Sequence, residues 1–197
     1  MPANTGQKPW IQWSNISIQY KQKTTIMLAQ KENKPAAKEN ELEIVRILDA
    51  PRELVYQLWT KEEHLKKWNA PLGCSIHYSR IDVRPGGEFL SVVKNPVYPD
   101  CWVKGVYLEL QAPERIAYTM EMSDEQGNIN LPQYQNADWP ASTIVTLSFE
   151  ELPGNKTRLT LRQSVSEAAA MRKGAYQGWL SSFDVMDQYL AGITEKK

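Results

Sequence analysis

A tight turn at residues 82–87, with the sequence Asp-Val-Arg-Pro-Gly-Gly, constrains the fold of this chain more than any other feature. Pro85 fixes φ for the first central position of such a turn, and Gly86 accepts the positive φ needed at the second. Strand-like runs lie on both sides of it, near residues 74–83 and 87–94. The segment therefore predicts a β-hairpin.

More strand-like runs surround this hairpin. Apolar and polar residues alternate in the later runs, so the predicted sheet has one apolar face and one polar face. Gln-Ala-Pro-Glu at 111–114 and Leu-Pro-Gly-Asn at 152–155 join the strands of the two later pairs. The helical spacing of apolar residues indicates two short helices between residues 51 and 68. The remaining predicted strands are 42–48, 102–110, 115–122, 142–151 and 156–164.

The C-terminal segment predicts one long amphipathic helix. The sequence Ser-Val-Ser-Glu at 164–167 has the pattern of a capping box, and the helix is expected to end near Leu190. Glycine in a helix interior costs about 1 kcal/mol relative to alanine. We therefore expect Gly174 and Gly178 to allow close approach to the sheet or to leave room for a ligand. The predicted apolar stripe consists of Met171, Ala175, Trp179, Phe183, Met186 and Leu190.

Together these elements predict an α+β helix-grip fold. In it, a curved antiparallel sheet of about seven strands wraps on the long C-terminal helix, and two short helices follow the first strand. A sheet wrapped on a helix in this way leaves a cavity between the two. The architecture therefore predicts a pocket before any ligand is known.

Residues 1–40 differ from the rest of the chain and are predicted to be an extension of a helix-grip domain at 41–193. Residues 10–20 could form a short strand, whereas residues 31–40 are polar and typical of a flexible linker. Two interpretations of residues 1–26 stay open: translation begins at Met27, or these residues form a mobile tail. The loop 123–141 is rich in Asn, Gln and Pro, and its length is typical of a lid or an insertion.

The composition excludes several classes of function. The 23 basic and 23 acidic residues cancel, so neither nucleic acid nor an anionic membrane is a predicted partner. No apolar run is long enough to span a bilayer, and the N-terminus lacks a signal-peptide core. Two cysteines do not make a disulfide framework. A cytoplasmic location with both thiols reduced is the simplest interpretation.

The order of elements resembles the START-like (SRPBCC) superfamily, and specifically the branch named after the activator of heat-shock-protein-90 ATPase. The resemblance covers residues 41 to about 193, and it implies the helix-grip fold and its cavity. The family name also implies a chaperone as a possible protein partner. The matching motifs are residues 48–55, Trp59-Thr60 with Trp68, 82–87, 105–109, 113–116, 143–149 and Gly178-Trp179.

Few residues carry the patterns that catalysis or metal binding requires. The only histidines are His64 and His77, and they lack the spacing of a metal site. Cys74 and Cys101 are more typical of small buried side chains than of activated nucleophiles. We therefore assign no catalytic residue, no metal and no cofactor. Of the strand carboxylates that could do acid–base chemistry, Asp82 is better explained as part of its turn.

The aromatic content is more informative. Seven Trp and nine Tyr are present, and large aromatic side chains with a polar edge suit a ligand pocket as well as a core. Each candidate could equally be a plain core residue. The position of Trp102 is ambiguous because it shares a strand face with Lys104. The predicted pocket-lining residues are Trp68, Phe89, Trp102, Tyr118, Met120, Leu147, Trp179 and Phe183.

Three functional hypotheses follow. The first is a non-enzymatic protein that binds a small apolar, aromatic or lipid-like ligand between the sheet and the C-terminal helix. The second is a protein-interaction module that modulates a chaperone ATPase or another partner through its outer surface. The third is a cyclase- or hydrolase-type enzyme that uses the same cavity. The sequence leaves the ligand and the oligomeric state open.

Overall fold

The computed structural model of the chain describes residues 40–97, 99–129 and 139–194. The predictions made for the N-terminal extension, including a strand at 10–20 and a start at Met27, lie outside the described residues. So does the centre of the loop 123–141.

The described residues form one antiparallel sheet of seven strands with four helices, which confirms the predicted helix-grip fold. The strands run in the order β1-β7-β6-β5-β4-β3-β2, so β1 and β2 are the edges. None of the described helices is both long and apolar enough to cross a membrane. The strands are β1 (Leu42–Leu48), β2 (Ser75–Ile81), β3 (Glu88–Lys94), β4 (Cys101–Gln111), β5 (Arg115–Ser123), β6 (Ser142–Leu152) and β7 (Lys156–Gln163). The helices are α1 (Arg52–Thr60), α2 (Glu62–Trp68), α3 (Glu167–Lys173) and α4 (Ala175–Thr194).

The predicted turn at 82–87 is confirmed. Gly86 has a φ of +79°, and the Gly87 amide donates to the Arg84 carbonyl over 2.8 Å. The turn also bonds to β4, because the Gly86 amide donates to the Tyr107 carbonyl over 2.7 Å. In return, the Tyr107 amide donates to the Gly87 carbonyl over 2.9 Å. The turn therefore holds the backbone of Tyr107 in place as well as joining β2 to β3.

The C-terminal segment differs from the single helix that the sequence predicts. Its cap is Ser166, whose hydroxyl accepts from the Ala169 amide over 3.2 Å, and the chain breaks at Gly174, where φ is +79°. This left-handed residue ends α3 and lets α4 start in a new direction. The apolar stripe is therefore not continuous: Met171 in α3 is 45% exposed, whereas Phe183 in α4 is completely buried.

An ion-pair cluster fixes α4 against the first strand. Arg46 lies on the inner face of β1, since it pairs with the buried Leu159 of β7. Its Nε donates to Asp187 over 2.9 Å, and its guanidinium also pairs with Asp184. Both Arg46 and Asp184 are mostly shielded from solvent, at 18% and 19% exposure of their side chains. The pairs therefore join the C-terminal helix to an edge of the sheet.

A histidine makes a second link to α4 and gives the fold a pH dependence. His64 Nδ1 lies 2.8 Å from the Tyr189 hydroxyl, and burial lowers the pKa of His64 below its usual value. The folded chain therefore favours neutral His64. The contribution of the neutral ring to the unfolding free energy is present above about pH 6.5 and is lost as the pH falls through the lowered pKa. We expect the wild type to lose more unfolding free energy than His64→Gln between about pH 7.5 and about pH 5.5. Urea denaturation at both pH values tests this, and equal losses in the two proteins would contradict it.

Candidate functional site

A pocket lies between the inner face of β2–β5 and the helices α1, α2 and α4. Its volume is about 80 Å³. Most of its wall consists of apolar and aromatic side chains from the strands, and the helices supply the rest. The strand residues are Ile76, Tyr78, Phe89, Ser91, Val93, Val103, Tyr107, Tyr118 and Met120, and the helical and following residues are Trp59, Leu65, Asn69 and Trp179.

Strand register brings the wall residues to one face. Tyr78 pairs directly with Ser91, and Tyr107 pairs directly with Tyr118, so the members of each pair point to the same side of the sheet. The register shifts just after Tyr78 in β2 and just after Tyr107 in β4. Such bulges bend the strand and increase its twist. The two tyrosines therefore lie where the sheet curves around the pocket.

Three aromatic rings of the wall pack against one another. The Phe89 ring centroid lies 5.7 Å from those of both Tyr107 and Tyr118, and the two tyrosine centroids are 6.0 Å apart. Phe89 can occupy this position because the residue opposite it on β4 is Gly105. A Cβ atom at Gly105 would lie 2.5 Å from the Phe89 ring and 2.0 Å from the Thr119 carbonyl oxygen. The absence of a side chain at Gly105 thus makes room for the ring.

The tyrosine hydroxyls supply polar groups to this wall. The Tyr78 hydroxyl accepts from Asn69 Nδ2 over 2.7 Å. The hydroxyls of Tyr107 and Tyr118 have no hydrogen-bond partner among the described residues. Burial raises the pKa of each of the three tyrosines well above its usual value. All three are therefore neutral at physiological pH and can donate a hydrogen bond.

The indole of Trp59 differs from those of two neighbouring tryptophans. Trp68 Nε1 donates to the Leu58 carbonyl over 2.9 Å, and Trp179 Nε1 donates to Gln163 Oε1 over 3.0 Å. Trp59 Nε1 is buried and has no hydrogen-bond partner among the described residues. Buried donors without a partner are rare in folded proteins and destabilise them. Trp59 is thus a wall residue with an unused hydrogen-bonding group.

This contrast yields a stability prediction. Trp68→Phe leaves the Leu58 carbonyl without its indole partner, whereas Trp59→Phe removes an N–H that has none. Both substitutions replace a buried indole by a phenyl ring, so the volume change is matched. We expect Trp68→Phe to lower the unfolding free energy by about 1–2 kcal/mol more than Trp59→Phe does. Urea denaturation followed by circular dichroism measures the difference, and a larger loss for Trp59→Phe would contradict the assignment.

The predicted pocket-lining residues fall into three groups. Phe89, Tyr118, Met120 and Trp179 lie in the wall. Trp68, Leu147 and Phe183 lie in the core rather than in the wall and are almost completely buried. Trp102 and Lys104 alternate with Val103, a wall residue, so regular strand geometry directs them to the outer face of β4.

Sequence reasoning did not single out Trp59, Tyr78 or Tyr107 as wall residues. For Tyr107 a signal was available, because alternate residues of a strand point to the same face. Val103, Gly105 and Tyr107 therefore share one face of β4, and Lys104 lies on the other. For Tyr78 and Trp59 the sequence carries no comparable signal. Both depend on where the bulge in β2 and the packing of α1 place the side chain.

The described start of the loop 123–141 does not cover the pocket. A Cβ atom at Gly127 would lie 3.7 Å from Leu90 Cδ2 and 3.8 Å from Lys104 Cδ. Leu90 and Lys104 are direct partners on the outer face of β3 and β4. The loop at Gly127 therefore lies on the side of the sheet opposite the pocket.

The other candidate reactive groups lie outside the pocket wall. Burial raises the pKa of the Cys101 thiol to about 11, so it is protonated at neutral pH, and Cys74 Sγ accepts from Asn95 Nδ2 over 3.2 Å. Asp82 bonds to Arg84 and Glu109 to Arg115, each over 2.8 Å. Within the described ranges, no three His, Cys, Asp or Glu side chains are grouped as a metal site requires.

Comparison with known proteins agrees with this architecture. The family described as Activator of Hsp90 ATPase homolog 1-like protein matches residues 49–191. The chain belongs to this family. The match covers most of the helix-grip domain, from just before α1 to the last turn of α4, and it confirms the resemblance to the START-like superfamily.

Several solved structures share the family fold. A protein from Chromobacterium violaceum is 25% identical with a TM-score of 0.63, and the match covers 78% of this chain and 98% of that one. A protein from Nitrosomonas europaea is 25% identical with a TM-score of 0.64, over 82% of this chain and 100% of that one. A protein from Arthrobacter aurescens, 20% identical with a TM-score of 0.68 over 81% and 90% of the two chains, shows the fold alone. No curated protein is significantly similar to the chain.

Proposed function

We propose that this member of the Activator of Hsp90 ATPase homolog 1-like family binds a small, uncharged and largely apolar molecule in the pocket between β2–β5 and α4. The family fold supports a ligand-binding or interaction module. The observation that carries the proposal is a concave, aromatic wall that includes unpartnered hydrogen-bonding groups. Apolar pockets with a few convergent polar groups are the usual form of small-molecule sites.

The size of the pocket limits the ligand. Drug-sized ligands occupy pockets of roughly 300–1,000 Å³, and this pocket measures about 80 Å³. A compact molecule of a few heavy atoms fits this volume better than a lipid chain. A longer ligand requires part of its length to project into solvent or the wall to move. The proposal therefore favours a small aromatic or cyclic compound over a lipid-like one.

The chemistry of the wall favours binding over catalysis. Its lining residues include no Asp, Glu, His, Cys or Lys side chain. A general base has to lie within hydrogen-bonding reach of the proton it removes, and neutral tyrosines with raised pKa values are poor bases. A buried ion would also lack a partner of opposite charge in this wall. Uncharged ligands and non-enzymatic binding are thus supported over a cyclase or hydrolase.

Filling the pocket tests the proposal. Val93 lies in the wall and is half-buried, so Val93→Phe can place a ring in the pocket. Val45→Phe makes the same substitution on the outer face of β1, where Val45 is 44% exposed. We expect native mass spectrometry of protein from its own cells to show an adduct that denaturation removes. We expect Val93→Phe to lose this adduct and Val45→Phe to keep it.

Absence of any adduct in the wild type, or an adduct that persists in Val93→Phe, would contradict binding in this pocket. The family description makes a chaperone the second candidate partner. An interaction module that acts through its outer surface is insensitive to Val93→Phe. Capture of a chaperone from lysate by both the wild type and Val93→Phe, without a small-molecule adduct, would favour this second function.

A further inference from the structure

We infer that the ligand carries a hydroxyl group, as an alcohol or a phenol does, and that this group exchanges hydrogen bonds with the hydroxyls of Tyr107 and Tyr118. This inference rests on the proposed function and specifies the chemistry of its ligand. Both tyrosines belong to the pocket wall, and they are direct partners on β4 and β5. Their side chains therefore point to the same side of the sheet, toward the pocket.

Both tyrosine hydroxyls are open to the pocket. Neither has a hydrogen-bond partner among the described residues. The polar side-chain atoms that are both enclosed and unpartnered in this part of the chain are Arg52 Nε, Trp59 Nε1 and Ser123 Oγ. The Tyr107 and Tyr118 oxygens are unpartnered but not enclosed, so each keeps accessible surface although the residues are only 5% and 8% exposed. Because both side chains line the pocket, a ligand placed there can reach these oxygens.

The fold holds the two tyrosine rings in place before any ligand binds. Their centroids are 6.0 Å apart, and the Phe89 centroid lies 5.7 Å from each of them. The turn residues Gly86 and Gly87 also bond to the backbone of Tyr107. A ligand therefore does not have to order these groups, which lowers the entropic cost of binding.

The hydrogen-bonding capacity of the wall favours a ligand group that both donates and accepts. A tyrosine hydroxyl has one proton to donate and two lone pairs that accept. Tyr78 uses one of its lone pairs on Asn69 Nδ2, and Asn69 Oδ1 is a further acceptor without a partner among the described residues. The wall thus offers protons to a ligand oxygen and lone pairs to a ligand proton. An alcohol or a phenol matches both, since its O–H group can accept from one tyrosine and donate to the other.

Other ligand groups match this wall less well. A ketone oxygen can accept from the tyrosines, but it leaves all of their lone pairs unused. An ion of either sign would be buried without a counter-charge, because the lining residues include no Asp, Glu, Lys, Arg or His side chain. The hydroxyl is therefore the polar group that we expect on the apolar body of the ligand.

Nuclear magnetic resonance of the full chain with ¹³C-labelled methionine methyl groups tests the inference. Met120 lies in the pocket wall, and its signal is identified by its absence in Met120→Leu. The probes are cyclopentanol, cyclopentanone and methylcyclopentane, which carry a hydroxyl, a carbonyl oxygen and a methyl group on the same ring. Each is titrated into the wild type, Tyr107→Phe, Tyr118→Phe and the double variant. These variants remove hydroxyls on which no described protein group depends for a hydrogen bond, so we expect them to fold. Tyr176→Phe is the matched control, because Tyr176 belongs to α4 and is not a wall residue.

We expect cyclopentanol to bind about 3- to 10-fold more tightly than either of the other probes, both in the wild type and in Tyr176→Phe. We expect this preference to fall in each single wall variant and to disappear in the double variant. Equal binding of the three probes, or binding of cyclopentanone at least as tight as that of cyclopentanol, overturns the inference and leaves the proposed function standing. A preference for cyclopentanol that survives in the double variant also overturns it. No shift of the Met120 methyl signal with any probe counts against the inference and the proposed function together.

Discussion

Replacing Phe183 by alanine is expected to lower the free energy of unfolding by about 3–5 kcal/mol. The Phe183 side chain is completely buried and packs edge-to-face on Trp59, with the ring centroids 6.2 Å apart. Trp179 lies at the same distance on another side. Removing the ring takes away its burial energy and leaves a cavity between α4 and α1 that rigid neighbours cannot fill. Chemical denaturation measures the loss directly.

Met171→Ala is the control for this substitution. Both residues belong to the apolar stripe that the sequence predicts for one continuous helix, but Met171 is 45% exposed. We expect Met171→Ala to change the unfolding free energy by no more than about 0.5 kcal/mol. Comparable losses at the two positions would contradict the break at Gly174. Phe183→Leu, which keeps much of the volume, should recover most of the lost stability.

Gly105→Ala is expected to destabilise the chain by about 2–3 kcal/mol or more, although it adds a single methyl group. The added Cβ would lie 2.0 Å from the backbone oxygen of Thr119 and 2.5 Å from the Phe89 ring. Backbone on a neighbouring strand cannot move away without breaking the pairing of β4 with β5. Displacement of the Phe89 ring would also disturb its contacts with Tyr107 and Tyr118. We therefore expect a loss of pocket geometry together with the loss of stability.

Gly178→Ala is the matched control, since the same methyl group meets no atom within 4 Å at that position. Alanine has the higher helix propensity, so this substitution should stabilise α4 by up to about 1 kcal/mol. Thermal and urea denaturation of both variants give the comparison. A Gly105→Ala protein as stable as the wild type would show that β4 and β5 are not packed as described here.

Local signals in the sequence predict most of the fold. Pro85 and Gly86 specify their turn through φ alone, and the turn forms as expected. The later strands alternate apolar and polar residues so regularly that their inner faces can be assigned. These features depend on neighbours in sequence, which is why they can be predicted without the structure.

The C-terminal helix shows where such signals fail. Gly174 has two possible roles, as an interior helix residue or as a left-handed terminator, and the sequence does not distinguish them. Ser164 also fits the pattern of a cap, yet its hydroxyl accepts from the Ile144 amide over 2.7 Å and Ser166 caps the helix instead. Tertiary contacts decide both cases.

The pocket was harder to predict than the fold because its wall and the adjacent core are made of the same residue types. Phe183 and Phe89 are equivalent by composition, but one lies in the core and the other in the wall. Phe183 lies on α4 and Phe89 on β3, and only the packed structure separates their positions. The bulges next to Tyr78 and Tyr107 shift the register by one residue and leave no clear mark in the sequence. The unpartnered N–H of Trp59 depends on packing alone, since the identical side chain at Trp68 finds an acceptor.

The salt bridges of Arg46 have a consequence for how the chain completes its folding during synthesis. The first strand of the domain pairs with the last strand, β7, and its charged residue pairs with α4 at the C-terminal end. A slip of one residue in β1 would turn Arg46 to the outer face and separate it from both aspartates. Correct alignment of the first strand of the domain is thus fixed only once β7 and α4 are both in place. A growing chain on the ribosome therefore cannot complete this domain until nearly all of the domain has emerged. Until then, β1 lacks both β7 and α4.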